Sequence, residues 1–405
     1  MFFFQATNYI LPLVTIPYIV RVIGPEKFGI LSFAEALNQY FVMITEYGFN
    51  ITGTQQISLE RDRAASRNAI FSSITAVKLL LMVLCALVLI LLLIFVESLR
   101  RDWAVYLLYF SMVPANVLLS YWFYLGMEEM HYLNYPNLIT KLGYTAGIFL
   151  FLHREEDFYL VPLFYGGFMV VGGIVSAAVI FRKFKIKWEK PSRRDIFDCL
   201  KKGWSIFVST FAINLYRRSN VFLLGLFASK EAVGFYSAGE KIVVVLQSLF
   251  NPVIQAFYPF ISRKKKLSAR HSLKSIFFLI KWLGGGTALL AIAIIIFAKP
   301  LTLLALGDKF LPSVRVLQIA ALVISLGVLN YVLGIIFMTN FDFEKEFSRR
   351  VMVTGLLNII LCSMLSYFFL EIGAAIAFVF AEFFLLILLS VFIARRQSLW
   401  RPANG

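Results

Sequence analysis

The chain has 405 residues, 60% of them hydrophobic and only 15% charged. Soluble domains average about 45–50% and about 25%, which excludes a water-soluble globular protein. The formal net charge of +16 would suggest a nucleic-acid partner in a soluble chain, but here Lys and Arg sit mostly between apolar runs, where they orient a chain in its membrane, so no nucleic acid is expected.

Apolar runs at 79–96, 276–298 and 374–394 each approach the ~20 residues that carry an α-helix across ~30 Å of hydrocarbon. They lack period-two alternation, which excludes an outer-membrane barrel. The expected class is an all-α integral membrane protein of twelve spans, near 2–22, 28–52, 70–96, 104–125, 136–153, 159–181, 203–228, 233–261, 276–298, 312–339, 351–370 and 373–394. The first run has neither a basic leading segment nor a small-residue cleavage site, so it is expected to remain as a span.

Assigning the loops alternately to two sides places Arg61, Arg63, Arg67, the basic stretches 182–202 and 263–274, Lys345, Arg349, Arg350 and the tail arginines on one side. The other side holds Arg21, Lys27, Arg100, Arg101, Arg154, Lys230, Lys299 and Lys309. The bias puts both termini in the cytoplasm. The linker 182–202 divides six spans from six, so a bundle at 1–181 and another at 203–405, with a short basic tail, are expected. Each linker cation near an anionic leaflet would contribute about 1 kcal/mol, so the linker either touches membrane lipids or serves only to orient the chain.

In the first span, Gln5, Thr7, Asn8 and Thr15 accompany Pro12 and Pro17. Proline removes a backbone donor and kinks a helix, which is tolerated beside water or polar neighbours. The eighth span repeats the theme with Gln247, Asn251, Pro252, Gln255 and Pro259. Pro12, Pro17 and Pro252 are therefore expected to line or hinge a cleft. Glu35, Glu46, Glu240 and Glu382 are candidates for coupling a proton, because a carboxyl in an apolar site holds its proton more tightly; Glu240 could instead pair with Lys241. Lys78 and Lys281 lie near span ends and are expected to snorkel to the surface, whereas Lys141 could do either.

Arg217 and Arg218 sit too centrally in 203–228 to snorkel easily. A charge at the bilayer centre costs roughly 2.5–3.5 kcal/mol on insertion scales, and adjacent helical residues point about 100° apart, so at most one faces a cleft squarely. Guanidinium binds phosphate or pyrophosphate in bidentate fashion, which makes the pair a candidate anion site; the alternative is a structural pair with Glu240 or a helix carbonyl. Asn8, Asn214 and Lys141 complete the substrate-binding candidates.

At a constant offset of 205, Gly29 matches Gly234, Ser32 matches Ser237 and Glu35 matches Glu240. Six helices return the chain to its starting side, so the halves share an orientation and are expected to be related by a pseudo-two-fold axis along the membrane normal. Two such bundles would form a V around a central cleft, as in alternating-access transporters. Gly172, Gly173, Ser176 and Ala177 suit close helix packing, and Gly284, Gly285 and Gly286 could permit bending. Cys85, Cys199 and Cys362 form no disulfide framework and read as packing residues. His131, His153 and His271 are scattered, no spacing suits a metal, and no GxxxxGK[ST] stretch could cradle ATP. Neither cofactor nor metal nor enzymatic activity is expected.

Two segments carry a family resemblance: NYILPLVTIPYIVRVIGPEKFGILSFAEALNQYFVMITEYGFN at 8–50 and GWSIFVSTFAINLYRRSNVFLLGLFASKEAVGFYSAGEKI at 203–242. They closely resemble bacterial polysaccharide transporters of the O-antigen flippase (Wzx) type, within a superfamily that includes lipid II flippases and multidrug exporters of the MATE type. The resemblance implies a protein of the inner membrane that moves an undecaprenyl-pyrophosphate-linked oligosaccharide to the periplasmic leaflet for lipopolysaccharide assembly, in contact with polysaccharide polymerase machinery. Such proteins often begin with a short polar segment, which implies a start slightly upstream of Met1. They also carry small polar residues where this chain has Arg217 and Arg218. A MATE-like exporter of small molecules is the alternative within the fold. A membrane polysaccharide polymerase or ligase is a further one, although it would need a sizeable outer loop and the outer loops here reach at most about a dozen residues.

Overall fold

The computed structural model describes the backbone of residues 2–267 and 269–396, and their side chains apart from 2–10, 212–218, 255–256, 259, 263–267 and 269–272. Among the described residues every regular element is helical. Hydrocarbon offers no water to unpaired N–H and C=O groups, so a spanning segment must satisfy its backbone internally.

The chain divides into two compact units, Met1–Ile23 with Ile30–Phe211, and Gly24–Gly29 with Ala212–Gly405. The helices of the first half are α1 (Phe2–Glu46), α2 (Phe49–Leu59), α3 (Ala64–Phe95), α4 (Glu97–Arg100), α5 (Trp103–Phe110), α6 (Met112–Leu119), α7 (Tyr121–Gly126), α8 (Asn134–Phe151), α9 (Leu160–Lys183) and α10 (Arg193–Phe227). Those of the second are α11 (Lys230–Ser248), α12 (Asn251–Leu267), α13 (Ala269–Ile296), α14 (Ala298–Ala305), α15 (Ser313–Ala320), α16 (Leu322–Tyr331), a π-helical turn Val332–Thr339, and α17 (Glu344–Arg395).

Seven helical stretches of the described residues are long and apolar enough to cross a bilayer. The last of them, α17, has 52 residues, more than twice the ~20 that one crossing needs. It breaks at Leu370 (φ 50°, ψ −129°), and a Cβ on Gly373 would lie only 2.0 Å from the Leu365 carbonyl oxygen, so the chain turns too tightly there for any side chain. Near the N-terminus, α1 stays helical through Pro12 and Pro17 and departs from helical angles at Gly24 (φ 71°, ψ 176°). Pro25 then opens the second stretch, where its missing N–H costs no bond. Two expected spans are interrupted: 28–52 at Tyr47 and Gly48, and 104–125 at Ser120, all with positive φ.

Lipid-facing and core-facing residues separate along the helices. Leu80, Val83, Leu84, Leu87 and Leu91 of α3 are exposed at helical spacing, while Phe71, Ile74 and Val77 of the same helix join the Trp122–Phe123–Tyr124 core. Small residues let α9 approach its neighbours, as expected: a Cβ on Gly172 would meet the Pro136 carbonyl oxygen at 2.9 Å, and one on Gly173 the Leu118 Cβ at 2.8 Å. Ser176 of α9 donates to the Leu119 carbonyl at 2.8 Å. Gly285 and Gly286, by contrast, have nothing within 4 Å.

The two glycines matched across the repeat meet inside the second unit. A Cβ on Gly29 would stand 1.7 Å from the Lys230 carbonyl oxygen, and one on Gly234 would stand 2.0 Å from that of Pro25. Pro25 and Lys230 are themselves separated by the offset of 205, so the contact is self-complementary: each glycine meets the carbonyl that the repeat pairs with the other's. Neither position has room for a side chain.

Candidate functional site

In the first unit the polar site is built on Lys78, which is only 2% exposed. Lys78 points into the protein between α3 and α6: its ammonium donates to the Asn116 Oδ1 at 3.2 Å and to the Asn116 carbonyl at 3.3 Å. This corrects the expectation that Lys78 snorkels; the core face of α3, defined by Ile74, Val77 and Lys78, carries the side chain inward. The Asn116 amide donates in turn to Glu46 Oε1 at 3.1 Å. An isolated ion buried in apolar surroundings is prohibitively costly unless paired and hydrogen-bonded. Asn116 meets that condition by accepting from the cation and donating to the carboxylate.

Other predicted residues of this unit are partly buried. Glu35 is half-buried. Tyr121 donates to Asn137 Oδ1 at 2.8 Å. Lys141 is half-buried on α8. Pro12 and Pro17 are half-buried and flank Thr15, whose hydroxyl bonds the Leu11 carbonyl at 2.8 Å.

In the second unit the site is a chain of amides and hydroxyls. Asn358 of α17 donates to Asn220 Oδ1 at 2.8 Å, Asn220 donates to the Tyr236 hydroxyl at 3.2 Å, and Tyr236 donates to Glu240 Oε1 at 3.3 Å. Asn220, Tyr236 and Asn358 are buried. Elsewhere in the unit, Asn330 holds the buried Glu382, donating to its carboxylate at 2.6 Å and its carbonyl at 2.8 Å. Lys241, the suggested partner of Glu240, stands over the Phe28 ring at 5.2 Å. Pro252 occupies the first turn of α12, just past the break that ends α11; Lys281 is exposed.

The side chains of Asn8, Asn214, Arg217 and Arg218, like those of Gln255, Pro259 and His271, lie outside the described residues. Sequence reasoning missed Asn116, Asn220, Asn330, Tyr236 and Asn358. Each asparagine is an amide inside an otherwise apolar stretch, a signal weaker than a charge yet of the same kind. No group of three or more His, Cys, Asp or Glu able to hold a metal occurs among the described residues. Cys85, Cys199 and Cys362 are free and buried, as packing residues should be.

Residues 1–265 match the family model described as polysaccharide biosynthesis protein. The chain belongs to this family. Proteins named "Putative O-antigen transporter" from Escherichia coli (strain K12) and Shigella dysenteriae are similar along almost the whole length: 31% identical over 98% of this chain and 95% of the former, and 25% over 94% and 95% for the latter. Among solved structures, a lipid II flippase, MurJ, in an inward closed conformation aligns with a TM-score of 0.76 at 14% identity over 97% of this chain and 88% of that one. An inward-facing multidrug MATE transporter aligns at 0.71 and 12%, over 98% and 97%. This family member therefore shares the fold of these two proteins.

Proposed function

We propose that this family member is a flippase that carries an undecaprenyl-pyrophosphate-linked oligosaccharide, such as an O-antigen repeat unit, across the bacterial inner membrane by alternating access. In this reading both termini and the 182–202 linker are cytoplasmic, and the linker separates a 1–181 bundle from a 203–405 bundle. The observation that carries it is a polar interior within apolar spans, Lys78–Asn116–Glu46 in one unit and Asn358–Asn220–Tyr236–Glu240 in the other, in a chain akin to proteins named for O-antigen transport. A sugar head group cannot cross ~30 Å of hydrocarbon, whereas a polyprenyl tail stays in lipid while polar side chains receive the sugar. Arg217 and Arg218, with Asn8, Asn214 and Lys141, are the proposed phosphate and sugar ligands; Glu35, Glu46 and Glu240 are the proposed coupling acids; and Pro12, Pro17 and Pro252 the proposed hinges. Polymerase machinery is the proposed receiver of the product.

A MATE-like exporter of cationic drugs is the second reading, favoured by the shared fold alone; arginines at 217–218 and a buried Lys78 suit an anion better. Proteoliposomes containing the purified protein should expose lipid-linked repeat units to an external periodate or lectin probe faster than empty vesicles do. Equal rates in the two preparations overturn the flippase reading. Arg217→Ala and Arg218→Ala should slow that exposure at unchanged protein abundance, and Lys at either position should rescue poorly if two-pronged geometry matters.

A further inference from the structure

On the basic side of the first unit, a cavity of about 610 Å³ opens between the start of α3 and the residues that follow α9. Its lining has four cations, Arg67, Lys183, Lys185 and Lys187, against a single carboxylate, Glu189. The segment that carries the lysines is tied down. Asn68 Oδ1 accepts from the Lys187 amide at 3.1 Å, and Ser72 Oγ accepts from the Glu189 amide at 3.0 Å. Arg67 crosses to α9 and donates to the Phe184 carbonyl at 3.1 Å, while its buried Nε has no hydrogen-bond partner. Lys183 rests over the Tyr132 ring at 4.0 Å, and Lys185 takes a positive φ of 52°, an uncommon conformation for a side-chain-bearing residue. The start of α3 contributes further: its N-cap supplies no side-chain bond, so the first-turn amides of a 32-residue helix keep their attraction for anions.

We propose that this cavity binds the phosphate of an anionic phospholipid headgroup. The cations and the uncapped amides both favour an anion. Its place at the ends of two membrane-crossing helices selects a lipid over a free ion. Phe181 and Trp188, near the cavity in the chain, stand exposed, as aromatic residues do at the headgroup level. The volume suits a glycerophosphate group, within the ~300–1,000 Å³ of small-molecule sites. The site would fasten the linker to the leaflet, independently of what the protein transports.

The test is thermal unfolding of the full-length protein in neutral detergent, titrated with a short-chain phosphatidylglycerol, a short-chain phosphatidylcholine, or inorganic phosphate. Phosphatidylglycerol should raise the unfolding temperature of the wild type in a saturable way, and the other two should not. Replacing three exposed lysines in Lys183→Gln/Lys185→Gln/Lys187→Gln should weaken the phosphatidylglycerol midpoint about a hundredfold, and Lys187→Gln alone about fivefold. Arg194→Gln/Lys201→Gln/Lys202→Gln, linker cations outside the cavity, should keep the wild-type midpoint. Unfolding without lipid checks that each variant is folded, and the single variant decides if the triple one is not. Equal midpoints for Lys187→Gln and wild type, an equal loss in the control variant, or equal stabilisation by inorganic phosphate overturns the proposal.

Discussion

The two units solve the same problem differently. In the first, a buried cation is balanced by Glu46 through the Asn116 amide; in the second, asparagines and a tyrosine satisfy one another before the chain reaches Glu240 at its edge. The first arrangement is costly to disturb, because removing the bridge leaves a charge without compensation. The second distributes modest hydrogen bonds, each with a net value of about 1 kcal/mol. A charged network is therefore the more sensitive to protonation and to a bound ion, and a neutral one the better scaffold.

Breaking the bridge should have the largest effect. Asn116→Leu leaves Lys78 and Glu46 in apolar surroundings without their link, and a loss of about 3–5 kcal/mol is expected, read as lower abundance and an earlier thermal transition. Lys78→Met/Glu46→Leu removes both charges together and should cost clearly less than Asn116→Leu. If transport fails in this double variant at normal abundance, the first network is functional; if transport survives, it is architecture.

In the second unit, Gly234→Ala drives a Cβ toward the Pro25 carbonyl and displaces α11, which carries Tyr236 and Glu240. Overpacking of this kind costs about 1–3 kcal/mol, whereas Gly285→Ala, with open space around it, should gain up to about 1 kcal/mol from helix propensity. Comparable melting curves for the two variants would remove the glycine contact from the account. Asn330→Leu strips the buried Glu382 of its amide donor and should cost about 1–3 kcal/mol by the same measurement.

The smallest effect belongs to a surface pair. Arg61 donates to both oxygens of Glu128, at 2.8 and 2.9 Å, and that hydrogen bond, then the charge of Arg61, holds the Glu128 carboxyl below its ordinary value. Because the folded value is depressed, its contribution is present above the ordinary glutamate range and disappears as pH falls through the lowered value. Solvent screens the pair, so Glu128→Gln should leave the unfolding temperature at neutral pH almost unchanged and slightly flatten its decline in acid.

Much of the fold was legible without coordinates. The apolar runs identify α3, α9, α13 and both halves of α17 as spans, and the small residues of α9 mark a close interface, because length, hydropathy and side-chain volume are properties of the residues themselves. Helix interruptions were partly legible. The breaks at Gly24 and Leu370 fall where the span 2–22 gives way to 28–52 and 351–370 to 373–394, whereas Tyr47 and Ser120 interrupt spans expected to be continuous, and Ser120 carries no turn signature. Of the site, the acids stood out because a charge in an apolar run is conspicuous. The asparagines did not, and Lys78 was misplaced because its distance from a span end says how far the ammonium could reach and nothing about which way it faces.

The sequence alone determined that this is a helical membrane protein of the polysaccharide biosynthesis family, since crossing hydrocarbon requires long apolar helices and the two motif-bearing segments are distinctive. It also marked Gly29 and Gly234 as counterparts. Only the tertiary structure decided that those glycines touch, that Lys78 turns inward to Asn116, and that Asn220, Tyr236 and Asn358 form one chain. Those outcomes depend on the rotation of each helix about its axis and on contacts between residues far apart in the chain, such as Pro25 with Gly234 and Asn220 with Asn358. Helical periodicity defines the faces of a helix, and packing alone selects the face that each neighbour meets.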